Sequence, residues 1–132
     1  MNKFWAFSLL LLMAFLALSC GNSSGRQLQS ITIMQLRETG NGQLEFVATG
    51  TFSDPPMTVT PLPVMWGLQL YAPPPRNLDY TLTSQPYMLN CTSTGAAAGP
   101  VSAIAPSDAN APTSGSWPFS KMTLAYATVK CQ

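Results

Sequence analysis

Catalysis near neutral pH most often recruits an imidazole, and this chain of 132 residues contains no histidine. Ser–His and Cys–His pairs and imidazole metal ligands are therefore excluded. Neither Lys121 nor Lys130 has a serine three residues before it, so the Ser-x-x-Lys arrangement is missing as well. A two-carboxylate mechanism would have to draw on Glu45, Asp54, Asp79 or Asp108. Glu45 alternates to the solvent side of a strand, Asp54 and Asp108 fall in proline-bearing turn or loop stretches, and Asp79 lies near a strand start. Turn and edge roles account for all four. A small hydrolase is the last-ranked reading, and no catalytic residue is assigned. Asp108-Ala109-Asn110 has the spacing of two oxygen ligands in a calcium loop, but the further acidic positions and the closing Glu do not follow. It reads as an Asx turn, and neither a metal nor another cofactor is expected.

Trp117-Pro118-Phe119 offers a different chemistry. Two aromatics flank a proline at the end of a polar stretch, where an exposed ring could stack on a sugar or anchor a peptide. The plainer role is to fold back and cap one end of the domain, since large aromatics are mostly buried. A carbohydrate- or peptide-binding module using Trp117 and Phe119 is thus the alternative to a purely structural protein.

The cysteines bear on where the protein resides. Lys3 precedes the almost wholly apolar stretch Phe4–Leu18, which has the layout of a secretory signal and falls short of the about 20 apolar residues of a membrane span. Small residues at 17 and 19 permit ordinary cleavage, and with it a secreted or periplasmic product. The run Leu16-Ala17-Leu18-Ser19-Cys20 resembles the lipobox of bacterial lipoproteins, although Ala17 and Leu18 replace the preferred leucine and small residue. That resemblance implies that Cys20 becomes the lipid-modified N-terminus. It also accounts for the odd cysteine count of three, since lipidation of Cys20 leaves Cys91 and Cys131. Both fall on the apolar side of a strand alternation, and in an oxidising compartment they are expected to form a disulfide. A reactive or metal-binding thiol pair is the rival reading; it lacks both histidine and close Cys spacing.

Without Lys3, five cations (Arg26, Arg37, Arg76, Lys121, Lys130) face five carboxylates. The chain is only 8% charged, well under the about 25–35% of an ordinary surface. Such a surface gathers no phosphate, so nucleic acid is not an expected partner. The remaining organisation is a signal peptide over 1–19, a Gly/Ser/Asn tether over 20–27 and one domain over 28–132.

Within that domain, Leu28–Leu36 reads as a first strand, with Ile31 and Ile33 on one face and Thr32 and Met34 on the other. After the turn Gly40-Asn41-Gly42, Leu44, Phe46, Ala48, Gly50 and Phe52 alternate with Glu45, Val47, Thr49 and Thr51, the period of a half-buried strand. Gly50 leaves room on the apolar face for a bulky neighbour, and Trp66 is the expected occupant and the expected centre of the core. Ser53-Asp54-Pro55-Pro56 ends the strand, and Met57–Thr60 reads as a brief edge. Val64, Trp66, Leu68 and Leu70 mark another core strand, followed by a stiff connector at Tyr71–Arg76. Leu78–Thr83, Tyr87–Cys91, Val101–Ala105 and Met122–Cys131 are further strands. Pro106–Phe119 reads as a long loop, and no stretch carries a capped helical period.

About seven short strands at this spacing predict an all-β fold, a sandwich of antiparallel sheets. The segments Leu28–Ile33, Gly42–Ser53, Val59-Thr60 and Val64–Trp66 resemble the first half of group 2 bacterial immunoglobulin-like domains, which occur in adhesins and envelope proteins. The second half fits less well: Pro106–Phe119 is longer than that family needs, and paired cysteines are not general in it. The resemblance implies an immunoglobulin-like sandwich and specifies no ligand. The expectation is a non-catalytic envelope lipoprotein, held to a membrane, by resemblance to sorting rules the outer membrane, through its lipid. Its role would be structural, adhesive or in assembly with an envelope protein or glycan partner.

Overall fold

The strand with the clearest alternation organises the molecule. A computed structural model describes residues 25–39, 42–67, 73–91 and 97–130. In it, β2 (Gln43–Phe52) pairs along its whole length with β1 (Leu28–Thr39), antiparallel, with Ile31 opposite Gly50 and Ile33 opposite Ala48. Gly42, at φ 70°, makes the turn into β2, in the left-handed region where glycine meets no Cβ penalty. The other edge of β2 is shared. Its first half pairs with β6 (Tyr87–Asn90) and its second with the two-residue β3 (Thr58–Val59), which has a cis Xaa-Pro bond on either side, at Pro55-Pro56 and Thr60-Pro61.

A second antiparallel sheet has the order β4 (Met65–Gly67), β7 (Ala97–Pro106), β9 (Met122–Lys130). A two-stranded ribbon of β5 (Asn77–Thr81) and β8 (Ser114–Pro118) joins it through the bridge between Val64 and Thr83. A single 3-10 turn, Phe119–Lys121, leads into β9. Among the described residues there is no α-helix.

The interior lies where the first two sheets meet, because each contributes its apolar alternation to the same clusters. One holds Leu28 and Ile31 of β1, Ala48 and Phe52 of β2, Leu62 and Val64, and Ala103 and Ala105 of β7. The other holds Leu44 and Phe46 of β2, Leu89 of β6, Val101 of β7 and Val129 of β9. Burying each large side chain of this kind contributes about 1.5–3 kcal/mol.

Several expectations change here. Trp66 is not the centre of the core: it is only partly buried, stands at the seam between the two clusters, and stacks on Tyr87 with ring centroids 5.6 Å apart. The space above Gly50 is filled by Leu28 and Leu62, whose methyls would lie 2.9 Å from an added Cβ. Alternation singled out the correct face of β2 but could not say which side chains would meet it, because one comes from the start of β1 and the other, Leu62, from the loop before β4.

Glu45 and Val47, on the outer face of β2, are buried as well. They lie in the middle strand of three, and Glu45 is shielded by Arg37, which donates to it at 2.6 Å. Val101–Pro106 is buried on both faces: Ile104 lies between its cross-strand partners Met65 and Leu124, and Ser102 donates to Gly67 O at 3.0 Å. The stretch read as a loop from Pro106 to Phe119 contains β8, whose Trp117 lies opposite Leu78. Its serines and glycine hid a strand whose partner lies 33 to 41 residues upstream, in the register Asn77↔Pro118 to Thr81↔Ser114.

Candidate functional site

Two hollows open side by side at the end of the molecule where the described chain begins. Gly25–Gln27, the end of the expected tether, is built into the fold there. Gln27 forms a β-bridge with Asp108, Ala109 donates its N–H to the Arg26 carbonyl at 3.0 Å, and Leu28 donates to Ser107 O at 2.7 Å. The Arg26 guanidinium lies 3.7 Å from the centroid of the Phe52 ring, a cation–π contact. It also donates to Asp54 O at 3.0 Å and to Pro56 O, and so holds the turn after β2.

The first hollow is a cavity of about 220 Å³ that enters between the sheets beneath Arg26. Leu28, Phe52, Val59, Leu62, Leu82 and Ala105 give it apolar walls, and Arg26 and Asp108 bring opposite charges to it. Asp108 accepts the Asn110 N–H at 2.9 Å through Oδ1, which is the Asx turn read from the sequence. Among the described residues the sole ion pair is Arg37–Glu45, on another face, so Arg26 and Asp108 are not paired with each other.

The second hollow, about 390 Å³, lies on the other side of Asp108 and is lined by Gln27, Ser107, Asp108, Trp117, Ser120 and Lys121. Trp117 and Phe119 are both partly buried. The Trp117 indole N–H is buried without an acceptor, an arrangement with a desolvation cost of about 1–3 kcal/mol. Trp117 thus packs partly into the fold and leaves part of its surface on the hollow's wall. Its position in a paired strand, rather than at a loop tip, fixes that surface in place.

The other residues selected from the sequence are spread over the molecule. Phe46, Ala48 and Val64 are buried at 2%, 1% and 0% exposure, with Gly50 between Leu28 and Leu62 and Trp66 at the seam. Cys91 follows β6, packs against the cluster of Leu44, Phe46 and Val129, and donates its N–H to Gly42 O at 2.8 Å. Cys20 and Cys131 lie outside the described residues. Glu45, Asp54, Asp79 and Asp108 stand on β2, the turn after it, β5 and the segment after β7. Among the described residues no three carboxylates or thiols gather as a metal site, and no helix is long and apolar enough to cross a membrane.

Sequence reasoning missed Arg26, Phe52, Leu62 and Leu82 as neighbours of a shared space. Arg26 stood in a segment of tether composition, and the leucines carried no signal distinguishing a cavity wall from ordinary core. No protein-family model matches this chain, and neither a curated protein nor a solved structure does.

Proposed function

We propose that this protein is a non-catalytic module of the bacterial cell envelope, an immunoglobulin-like β-sandwich tethered to a membrane by lipid on Cys20. The observation that carries the reading is the pair of antiparallel sheets that bury a common apolar interior immediately after a signal-like start and a short tether. One acyl chain binds a bilayer reversibly and two or more hold firmly, at about 0.8 kcal/mol per buried CH₂, so the lipid alone would localise the domain. Its role is structural, adhesive or in assembly. The Cys91–Cys131 disulfide belongs to this proposal. Val129, two residues before Cys131, shares a cluster with Leu44 and Leu89, and Cys91 packs on that cluster. Closing about 40 residues would stabilise the fold by roughly 4 kcal/mol on the chain-entropy estimate.

Intact mass of the membrane-fraction protein tests both covalent claims. The expected result is a chain beginning at Cys20 with added acyl mass and two fewer hydrogens at Cys91 and Cys131. A Cys20→Ala variant with unchanged mass of the mature chain and unchanged membrane retention would overturn the lipid anchor.

A second reading has a specific observation in its favour. Trp117 is partly exposed on a rigid strand beside Asp108, Gln27 and Lys121, the combination of an aromatic face and polar side chains that a glycan or peptide would engage. Trp117→Ala should then abolish binding to an envelope glycan preparation while thermal unfolding remains cooperative.

A further inference from the structure

The apolar cavity has a feature that neither a structural spacer nor a glycan surface requires. Two opposite charges stand together on its lining and leave one another unpaired. Arg26 and Asp108 belong to segments tied together by the Gln27–Asp108 bridge and by the Ala109–Arg26 hydrogen bond. Both line the cavity, yet neither forms an ion pair among the described residues. Arg26 is held in place by Phe52, Asp54 O and Pro56 O, so its guanidinium is preorganised rather than free to swing. Asp108 spends Oδ1 on its own turn and keeps Oδ2 for another donor.

Beside these charges the lining is mostly apolar, with Leu28, Phe52, Val59, Leu62, Leu82 and Ala105 outnumbering the one neutral polar side chain, Thr113. A volume of about 220 Å³ exceeds the roughly 150 Å³ that accommodates benzene and falls short of the about 300 Å³ where drug-sized sites begin. The occupant is therefore a molecule of about ten heavy atoms, apolar at one end. At the other end it must offer an anion to Arg26 and a cation to Asp108. A free α-amino acid with an apolar side chain carries that combination on adjacent atoms.

We propose that this cavity binds free apolar α-amino acids of the size of leucine or phenylalanine. The carboxylate meets Arg26, the ammonium meets Asp108, and the side chain enters between Leu28, Phe52, Leu62, Leu82 and Ala105. The site does not depend on the lipid anchor, and it shares only Asp108 with the Trp117 hollow. It would be occupied equally in a secreted form of the protein.

The test is an NMR titration of the protein in its exported form with L-leucine and L-phenylalanine, following side-chain methyl signals. Saturable shifts are expected at Leu28, Leu62 and Leu82, with Leu44 and Leu89 in the other cluster unmoved. Because each charge-assisted hydrogen bond contributes about 1.5–3 kcal/mol, N-acetyl-L-leucine and L-leucinamide should each bind about 10–100-fold more weakly. Asp108→Asn keeps the Asx turn and should cancel the difference between leucine and N-acetyl-leucine. Ala111→Phe, on the cavity lining, should block binding without lowering the melting temperature. The proposal is overturned by the absence of saturable shifts up to about 10 mM leucine, where even a 1 mM complex is largely formed. It is equally overturned if the acetylated and amidated analogues bind as well as leucine.

Discussion

The two halves of the interior share β2 and β7 and are closed differently. Around Phe46, the cluster of Leu44, Leu89, Val101 and Val129 is closed by side chains from four strands, with Cys91 packed against it. Around Gly50, the cluster of Leu28, Phe52, Leu62 and Ala105 borders a cavity and is roofed by one arginine. The contrast follows from what crosses the second edge of β2. At the Phe46 half β6 pairs through four residues, whereas at the Gly50 half β3 supplies only two before the chain turns away at Pro61. A short edge strand leaves space that Leu62 from the following loop and Leu28 from β1 fill incompletely.

The largest loss of stability is expected at Phe46. Phe46→Ala should cost about 3–5 kcal/mol, because a closed cluster relaxes little around a void; urea unfolding of the two proteins measures it. Gly50→Ala is the corresponding insertion at the open half. The atoms nearest its Cβ would be the methyl ends of Leu28 and Leu62 at 2.9 Å, and these side chains can yield toward the cavity they line. The cost should therefore lie near 1 kcal/mol, the low end for overpacking, with leucine binding weakened in the same variant. A loss as large as that of Phe46→Ala would show that the two halves are equally rigid.

Tyr80 sharpens the contrast by pH. It is buried at 4% exposure and donates to Pro112 O at 2.8 Å, and burial raises its phenol above the ordinary 10.0. The neutral form is thus favoured on folding. Its contribution is complete below pH about 10 and is lost as pH rises from there through the folded value. Tyr80→Phe should cost about 0.5–1.5 kcal/mol at neutral pH and flatten the alkaline decline, as chemical denaturation at pH 7 and above pH 10 would show. The smallest effect is expected on the outer face. Glu45→Gln removes the charge of the pair with Arg37, whose side chain is 71% exposed, and a half-solvated pair contributes about 1 kcal/mol or less. Melting temperatures at low and high salt should then converge for the variant.

Legibility followed the period of two. In β1 and β2 the buried set Ile31, Leu44, Phe46, Ala48 and Phe52 could be read directly, because a strand with one face on the core repeats its apolar residues every second position. In β7 that reading failed: Ser102 and Ile104 are buried along with Val101 and Ala103, Ile104 opposite Met65 and Leu124 and Ser102 donating to Gly67 O at 3.0 Å. In β8 it failed for the opposite reason. Ser-Gly-Ser-Trp-Pro has little apolar alternation, although it pairs with β5 over five residues. The candidate site was partly visible, in Trp117 and in the Asx turn at Asp108, while Arg26 was hidden in a segment of linker composition.

By itself the sequence determined the all-β character, the inward face of each alternating strand and the absence of imidazole chemistry. These depend on residue type and local period, which neighbours along the chain carry. The tertiary structure alone decided that leucines rather than Trp66 fill the space at Gly50. It also decided that Glu45 lies sheltered, and that Arg26 and Asp108 share a cavity. Each of these requires segments distant in sequence to arrive at one place, and no local pattern records where they meet.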